Sequence, residues 1–332
     1  NETRQSTMQN RMENMNGQKP KTISIVISVY NEEKALHEFN REATPVFEAL
    51  PWNYELIFVN DGSADASGQI LAELAAADPR VRVINFSRNF GHEAAMLAGL
   101  DHSSGEGIVC MDADLQHPPE CVAQIIEKFE EGYEVINMVR TKNKSAGFIK
   151  NLTSSAFYKF LNKISDVKLE NNASDFFALT ANAAQVLKTN YREKVRFLRG
   201  YVQNIGFNRT TIEYEARARV AGESKYSIRK LFKFSINTIL CFSDLPLKLG
   251  IYSGIIVGFL GLLVMLETIY EWAVKGTPNG YATIVVLLCF MFAMLFVIVG
   301  IIGEYIAILF TELKDRPIYI VHDTKGFPEK ES

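Results

Sequence analysis

The sequence predicts an α/β domain built on a mostly parallel, Rossmann-like sheet, followed by a hairpin of two membrane-crossing helices. Three observations predict it. Short β-branched runs alternate with helical stretches from Thr22 to Arg140. Each of those runs ends in polar residues. Two long runs without charge come later, Leu249 to Leu266 and a second within Gly276 to Gly303, apolar from about Ala282. A chain of 332 residues suffices for one large domain or two modest ones. With 48% apolar residues and a net charge near −3, it is neither a disordered chain nor a nucleic-acid binder.

The first element, "TISIVISVYNEE", is a run of β-branched residues ending in polar ones, which reads as a buried parallel strand and then a loop. "KALHEFNREATPVFEAL" reads as a helix, and "YELIFVNDGSADAS" as a second strand ending in a turn. Asp65 or Ser67 can cap the helix "GQILAELAAA". "VRVINFSRNFG" is a third strand, "HEAAMLAGLDHS" a helix and "GEGIVCMDADLQ" a fourth strand. "PECVAQIIEKFEEG" is a helix and "YEVINMVRT" a fifth strand. This alternation implies a parallel sheet with helices on both faces. Ligands of such sheets bind outside the carboxyl ends of the strands. Those ends carry Tyr30-Asn31-Glu32, Asn60-Asp61-Gly62-Ser63, Ser87-Arg88-Asn89, Asp112 to Gln116, and Arg140.

A membrane-spanning helix needs roughly 20 mostly apolar residues. Neither long run shows the polar face of a buried core helix. The connection between them holds Tyr270, Trp272, Pro278 and Tyr281, which suits a turn at a membrane interface. Lys225, Arg229, Lys230, Lys233 and Lys248 precede the first span, and Lys314 and Arg316 follow the second. The loop carries only Lys275 against Glu267 and Glu271. Positive charge stays inside, which places the large domain and both termini in the cytoplasm, on a multi-pass protein of the cytoplasmic (inner) membrane. The expected divisions are a flexible tail over 1–20, a catalytic domain over 21–226 and an amphipathic juxtamembrane segment over 227–246. The membrane region follows over 247–310, with helices at about 249–270 and 282–303, then a cytoplasmic tail over 311–332. Gly250, Gly254, Gly258 and Gly261 form a small-residue stripe suited to close helix approach, within the hairpin or in a homo-oligomer. Cys110, Cys121, Cys241 and Cys289 lack C-x-x-C spacing and read as buried residues of a reducing compartment.

The chemistry concentrates in "MDADLQHPPE". In an extended chain Asp112, Asp114 and Gln116 share one face. An all-oxygen set of that kind suits Mg2+ or Mn2+ shared with a substrate's phosphates. His117, beside Pro118-Pro119, reads as a turn residue rather than a ligand. Asp61-Gly62-Ser63 is good turn chemistry, and Asp61 is equally placed to accept a nucleobase N–H. Tyr30 and Glu32 suit stacking on a base and bonding its edge.

The combination "SVYNEE … VNDGSADAS … FSRNFGHEAAMLAGLDHSSGEGIVCMDADLQHPPE … AGESKYSIRKL" resembles the family 2 glycosyltransferases of GT-A fold. Within them it resembles the polyprenyl-phosphate enzymes, the group of dolichyl-phosphate mannose synthases and GtrB-like bactoprenol glucosyltransferases. The likeness runs from about Thr22 to the end of the chain. It implies that Tyr30, Glu32 and Asp61 hold the base, and that Asp112 meets the ribose and diphosphate. It implies Asp112, Asp114 and Gln116 as metal ligands. Arg140 and Asp175 would lie near the reacting centre. Arg140, Arg199, Arg219, Lys225 and Arg229 would receive the lipid phosphate. Three positions depart from the pattern: Phe177 replaces an arginine of a "DFR" element, Asn204 a tryptophan, and Ala216 a bulkier or basic residue. The implied reaction moves a hexose, glucose from UDP-glucose by preference, to undecaprenyl phosphate with inversion and a divalent metal. GDP-mannose as donor, or a non-catalytic partner binding nucleotide sugar or lipid, are the alternatives. A processive polysaccharide synthase would need more spans and a Q-x-x-R-W element, and neither is present.

Overall fold

A computed structural model of the chain describes residues 21–141, 173–194, 196–217, 245–276 and 280–327. The expected basic residues Arg219, Lys225 and Arg229, the tail over 1–20 and nearly all of the juxtamembrane segment lie outside them.

The chain divides into two units. In the first, strands β1 (Thr22–Val29), β2 (Asn53–Asn60), β3 (Val81–Phe86), β4 (Gly107–Asp112) and β5 (Val135–Arg140) follow the expected order. Helices α1 (Glu33–Glu48), α2 (Ser67–Ala77), α3 (His92–His102) and α4 (Cys121–Glu130) connect them. Then come β6 (Ala173–Thr180), α5 (Ala181–Asn190), α6 (Leu198–Asn204) and β7 (Arg209–Tyr214). With β8 (Val321–Lys325) at one edge, the described residues form an eight-stranded sheet in the order β7-β5-β6-β4-β1-β2-β3-β8. Strands β4, β1, β2 and β3 are mutually parallel, so their carboxyl ends form one edge. Ile23, Ile25, Ile27, Phe58 and Val109 are wholly buried, as a sheet covered on both faces requires.

Strand β6 enters antiparallel between β4 and β5. Its amino end therefore reaches the edge where its neighbours' carboxyl ends lie. Cys110 pairs with Phe177; two residues further along each strand, Asp112 and Asp175 arrive at that edge.

The second unit holds α7 (Leu245–Lys275) and α8 (Tyr281–Leu313), both longer than expected. Each is long and apolar enough to cross a membrane. A Cβ on Gly250 would lie 3.5 Å from Ile298, so this glycine marks where the helices touch. A Cβ on Gly254, Gly258 or Gly261 would meet nothing within 4 Å, so the rest of the expected stripe marks no close helix approach among the described residues. The C-terminal region is more than a tail: Val321–Lys325 forms β8, antiparallel to β3 in the first unit. Tyr319 stacks on Phe86 with centroids 5.1 Å apart, and its hydroxyl donates to Asp101 at 2.6 Å.

Candidate active site

The loops after β1 and β2 are stitched together. Asn31 sits at φ 55, a left-handed conformation that asparagine tolerates. Its N–H donates to Ser63 Oγ at 3.0 Å, and its Oδ1 accepts from Ala64 N–H at 2.8 Å. The Glu32 N–H donates to Ser67 Oγ at 2.9 Å. Tyr30 stands 42% exposed on this rim.

Asp61 is buried, and both its oxygens accept main-chain N–H groups, from Phe90 at 2.6 Å and Gly91 at 2.9 Å. Burial raises its pKa, and those two bonds act in the opposite direction. Asp61 thus organises the loop after β3. Gly62, at φ +63, lets that loop pass: a Cβ there would meet the Arg88 carbonyl carbon at 2.4 Å.

The expectation that Asp112, Asp114 and Gln116 share a face of an extended chain is corrected. The strand ends at Asp112, residues 113–114 turn, and Leu115 adopts φ 60. Asp114 swings inward to 4% exposure, and its Oδ1 accepts the Gln116 N–H at 3.1 Å. The turn still keeps two carboxylates within one short loop at the sheet edge. His117 is also more than a turn residue. It is buried, stacked on Phe176 at 4.9 Å, and its Nδ1 accepts the Asp112 N–H at 3.0 Å. Burial lowers its pKa despite Asp112 and Asp114 nearby.

Asp175 lies on β6. Arg199, from α6, grips it in a two-point pair: Nε to Oδ1 at 3.1 Å and Nη2 to Oδ2 at 2.7 Å. A guanidinium thus reaches Asp175 although Phe177 stands at the expected arginine position. Burial alone would raise the Asp175 pKa, but Arg199 and His92 outweigh it and bring it to about 2. Arg140 ends β5, its register partner Tyr214 ends β7, and its Nε is buried without a partner among the described residues.

Sequence reasoning missed His92. Its Nδ1 lies 2.8 Å from Ser28 Oγ and 3.7 Å from Asp112 Oδ1. Its Nε2 lies 3.9 Å from Asp175 Oδ2. Burial opposes charge on the ring, but Asp112 and Asp175 prevail and raise its pKa. Glu93 beside it is pushed up to about 7, first by burial and then by Asp175. Its Oε1 accepts the Leu198 N–H at 3.1 Å. The available signal was position: His92 opens a helix at the same sheet edge, directly after a glycine and the short loop that follows β3.

Among the described residues no group of three His, Cys, Asp or Glu side chains could hold a metal alone. Asp112 and Asp114 nonetheless fit a hard divalent ion that takes its remaining oxygens from a phosphate-bearing ligand.

A model of the glycosyl transferase family 2 domain matches residues 24–185. The chain is 42% identical to an uncharacterized glycosyltransferase, YkcC, of Bacillus subtilis (strain 168), over 92% of this chain and 95% of that one. It is 36% identical to the bactoprenol glucosyl transferase of Shigella phage SfII, over 90% of this chain and 97% of that one. A crystal structure of glucosyl-3-phosphoglycerate synthase from Mycobacterium tuberculosis with Mn2+, UDP and phosphoglyceric acid aligns at 19% identity and TM-score 0.46, covering 66% and 76% of the two chains. That last likeness is too loose to carry an argument about the site.

Proposed function

The chain belongs to glycosyl transferase family 2, and from that premise we propose that it transfers glucose from UDP-glucose to a polyprenyl phosphate at the cytoplasmic face of a membrane. The observation that carries the reading is a coincidence within one chain. A carboxylate-lined sheet edge bearing Asp112 and the Asp175–Arg199 pair accompanies two helices apolar enough to cross a membrane. Relatives named bactoprenol glucosyl transferase match both parts, since they align over nine-tenths of the chain.

In this reading Tyr30, Glu32 and the Asp61-ordered loop receive the uridine. Asp112 and Asp114, with Gln116 beside them, would hold Mg2+ or Mn2+, which when bound relieves charge on the departing diphosphate. The acceptor phosphate is already anionic near neutral pH, by analogy with phosphoserine, so it needs no general base. Asp175 agrees with that: a carboxyl held at about pH 2 is a poor proton acceptor near neutrality and a good anchor for Arg199. Arg140 would position the incoming phosphate, together with the basic residues Arg219, Lys225 and Arg229. Displacement from the face opposite the diphosphate inverts the anomeric carbon.

The test uses the full chain in membranes, radiolabelled UDP-glucose and undecaprenyl phosphate, with and without Mg2+. Labelled lipid is expected only with the metal. The Asp112→Asn variant is expected to lose about 10²–10³-fold in rate, the scale of removing one electrostatic contact to a transition state, and to fractionate with membranes as before. Transfer by Asp112→Asn at the normal rate, or transfer to a soluble acceptor alone, would overturn the reading.

A further inference from the structure

We propose that His92 is a positioning residue that ties the donor side of the site to Asp175. Its kinetic test rests on the transfer reaction proposed above; its spectroscopic test does not.

The geometry restricts where the ring hydrogens lie. Ser28 Oγ has one hydrogen and two acceptors in range, His92 Nδ1 at 2.8 Å and Asp112 Oδ1 at 3.2 Å. If the hydroxyl donates to Nδ1, the neutral ring carries its hydrogen on Nε2. If the hydroxyl donates to Asp112, Nδ1 must donate to the hydroxyl. A neutral ring would then aim the Nε2 lone pair at the Asp175 carboxylate, and repulsion disfavours that. Both arrangements that survive, the neutral Nε2–H tautomer and the doubly protonated ring, put a hydrogen on Nε2 toward Asp175. Yet Nε2 is shut off from solvent and has no hydrogen-bond partner among the described residues. At 3.9 Å from Asp175 Oδ2 it falls short of a hydrogen bond. Catalytic hydrogen bonds are often long before substrates bind and tighten in the reactive complex. A movement of about 1 Å completes this one.

When complete, a single line runs from Asp112 through Ser28 and His92 to Asp175, and from there to Arg199. It joins β4, β1, α3, β6 and α6. Asp112 belongs to the nucleotide end of the site, and Asp175 with Arg199 to the acceptor end. The ring therefore holds the two reacting partners at a fixed spacing. Misplacing reactants by 1 Å can cost about 10²-fold in rate.

The experiment compares His92→Phe, which keeps the ring's bulk, with His92→Gln, which returns a donor near Nε2. His92→Phe is expected to lower kcat for transfer from UDP-glucose about 10–100-fold while its KM stays within about twofold. His92→Gln is expected to recover most of that loss. A kcat unchanged in His92→Phe, a Gln variant no better than Phe, or a loss carried by KM alone would each overturn the proposal. In parallel, imidazole 15N NMR on the full chain in detergent micelles reads the ring directly. An Nε2 hydrogen that exchanges slowly in the native protein and at least tenfold faster in Asp175→Asn is expected. A ring without hydrogen on Nε2, or exchange indifferent to Asp175, refutes the contact whatever the substrate. A native protein inactive with UDP-glucose, but showing the protected hydrogen, refutes the reading of function and leaves the contact standing.

Discussion

The same side chains do opposite things in the two units of this chain. Ile25, Ile27 and Phe58 are wholly buried in the sheet. Ile255, Phe259 and Phe296 in the long helices are 60–69% exposed. In the first unit apolarity is consumed by folding, because parallel strands bury both faces beneath helices. In the second it is left over. Exposed apolar surface along both helices is far more than a water-soluble protein presents, so those helices require another apolar phase, and the proposed bilayer supplies it. Apolar content alone therefore does not distinguish core from anchor; the length of the unbroken run does.

Paired truncations sharpen the comparison most. Phe58→Ala removes a fully buried ring packed edge-on to Phe39 at 6.0 Å. It is expected to destabilise the catalytic unit by about 3–5 kcal/mol. Phe296→Ala removes a ring 69% exposed and is expected to leave that unit's denaturation midpoint unchanged. Urea melts in detergent, followed by near-UV circular dichroism, decide it. Equal shifts from both substitutions would mean the two units do not unfold independently.

Legibility followed the same divide. The strands β1 to β5 could be read because each is a short apolar run closed by polar residues. Strand β8, "VHDTK", could not: it is a mostly exposed edge strand joined to β3 by backbone pairing. Backbone pairing leaves no mark in side-chain pattern. Asp112 was legible as a strand end, but the inward turn of Asp114 was not, because nothing in "DADLQ" announces a left-handed leucine. His92 was missed because its partners are distant in sequence. Ser28 lies 64 residues away, and Asp175 sits on a strand added to the sheet from further along the chain.

Glycines extend the comparison at smaller scale. At Gly62 an added methyl would strike the Arg88 backbone, and φ is positive. Gly62→Ala is expected to cost about 1–2 kcal/mol from the left-handed backbone alone, and to disturb the loop that Asp61 orders. Gly254 has open space around its Cβ position. Gly254→Ala is expected to be neutral or to stabilise its helix by up to about 1 kcal/mol. Thermal melts of the two variants make the contrast. A Gly254→Ala variant that melts earlier would show that this face is packed against something outside the single chain.

The smallest expected effect is a pH dependence confined to the catalytic unit. Glu93 has its pKa raised from 4.5 to about 7 by burial and by Asp175. The folded state therefore holds a proton that the unfolded chain releases in that interval. Below about pH 4.5 both states are protonated and the contribution is fully present. As pH rises through 7, the folded protein must carry the buried charge and the contribution is lost. Glutamine keeps an oxygen to accept the Leu198 N–H at 3.1 Å but cannot ionise. Glu93→Gln is thus expected to gain on the native protein between about pH 5 and pH 7 and to level off above that, by on the order of 1 kcal/mol once partial exposure is allowed for. Denaturation midpoints of both proteins across that range measure the gap. A gap that stays flat with pH would mean the Glu93 carboxylate is solvated in the folded protein, and that α6 is held to α3 by packing rather than by this charge.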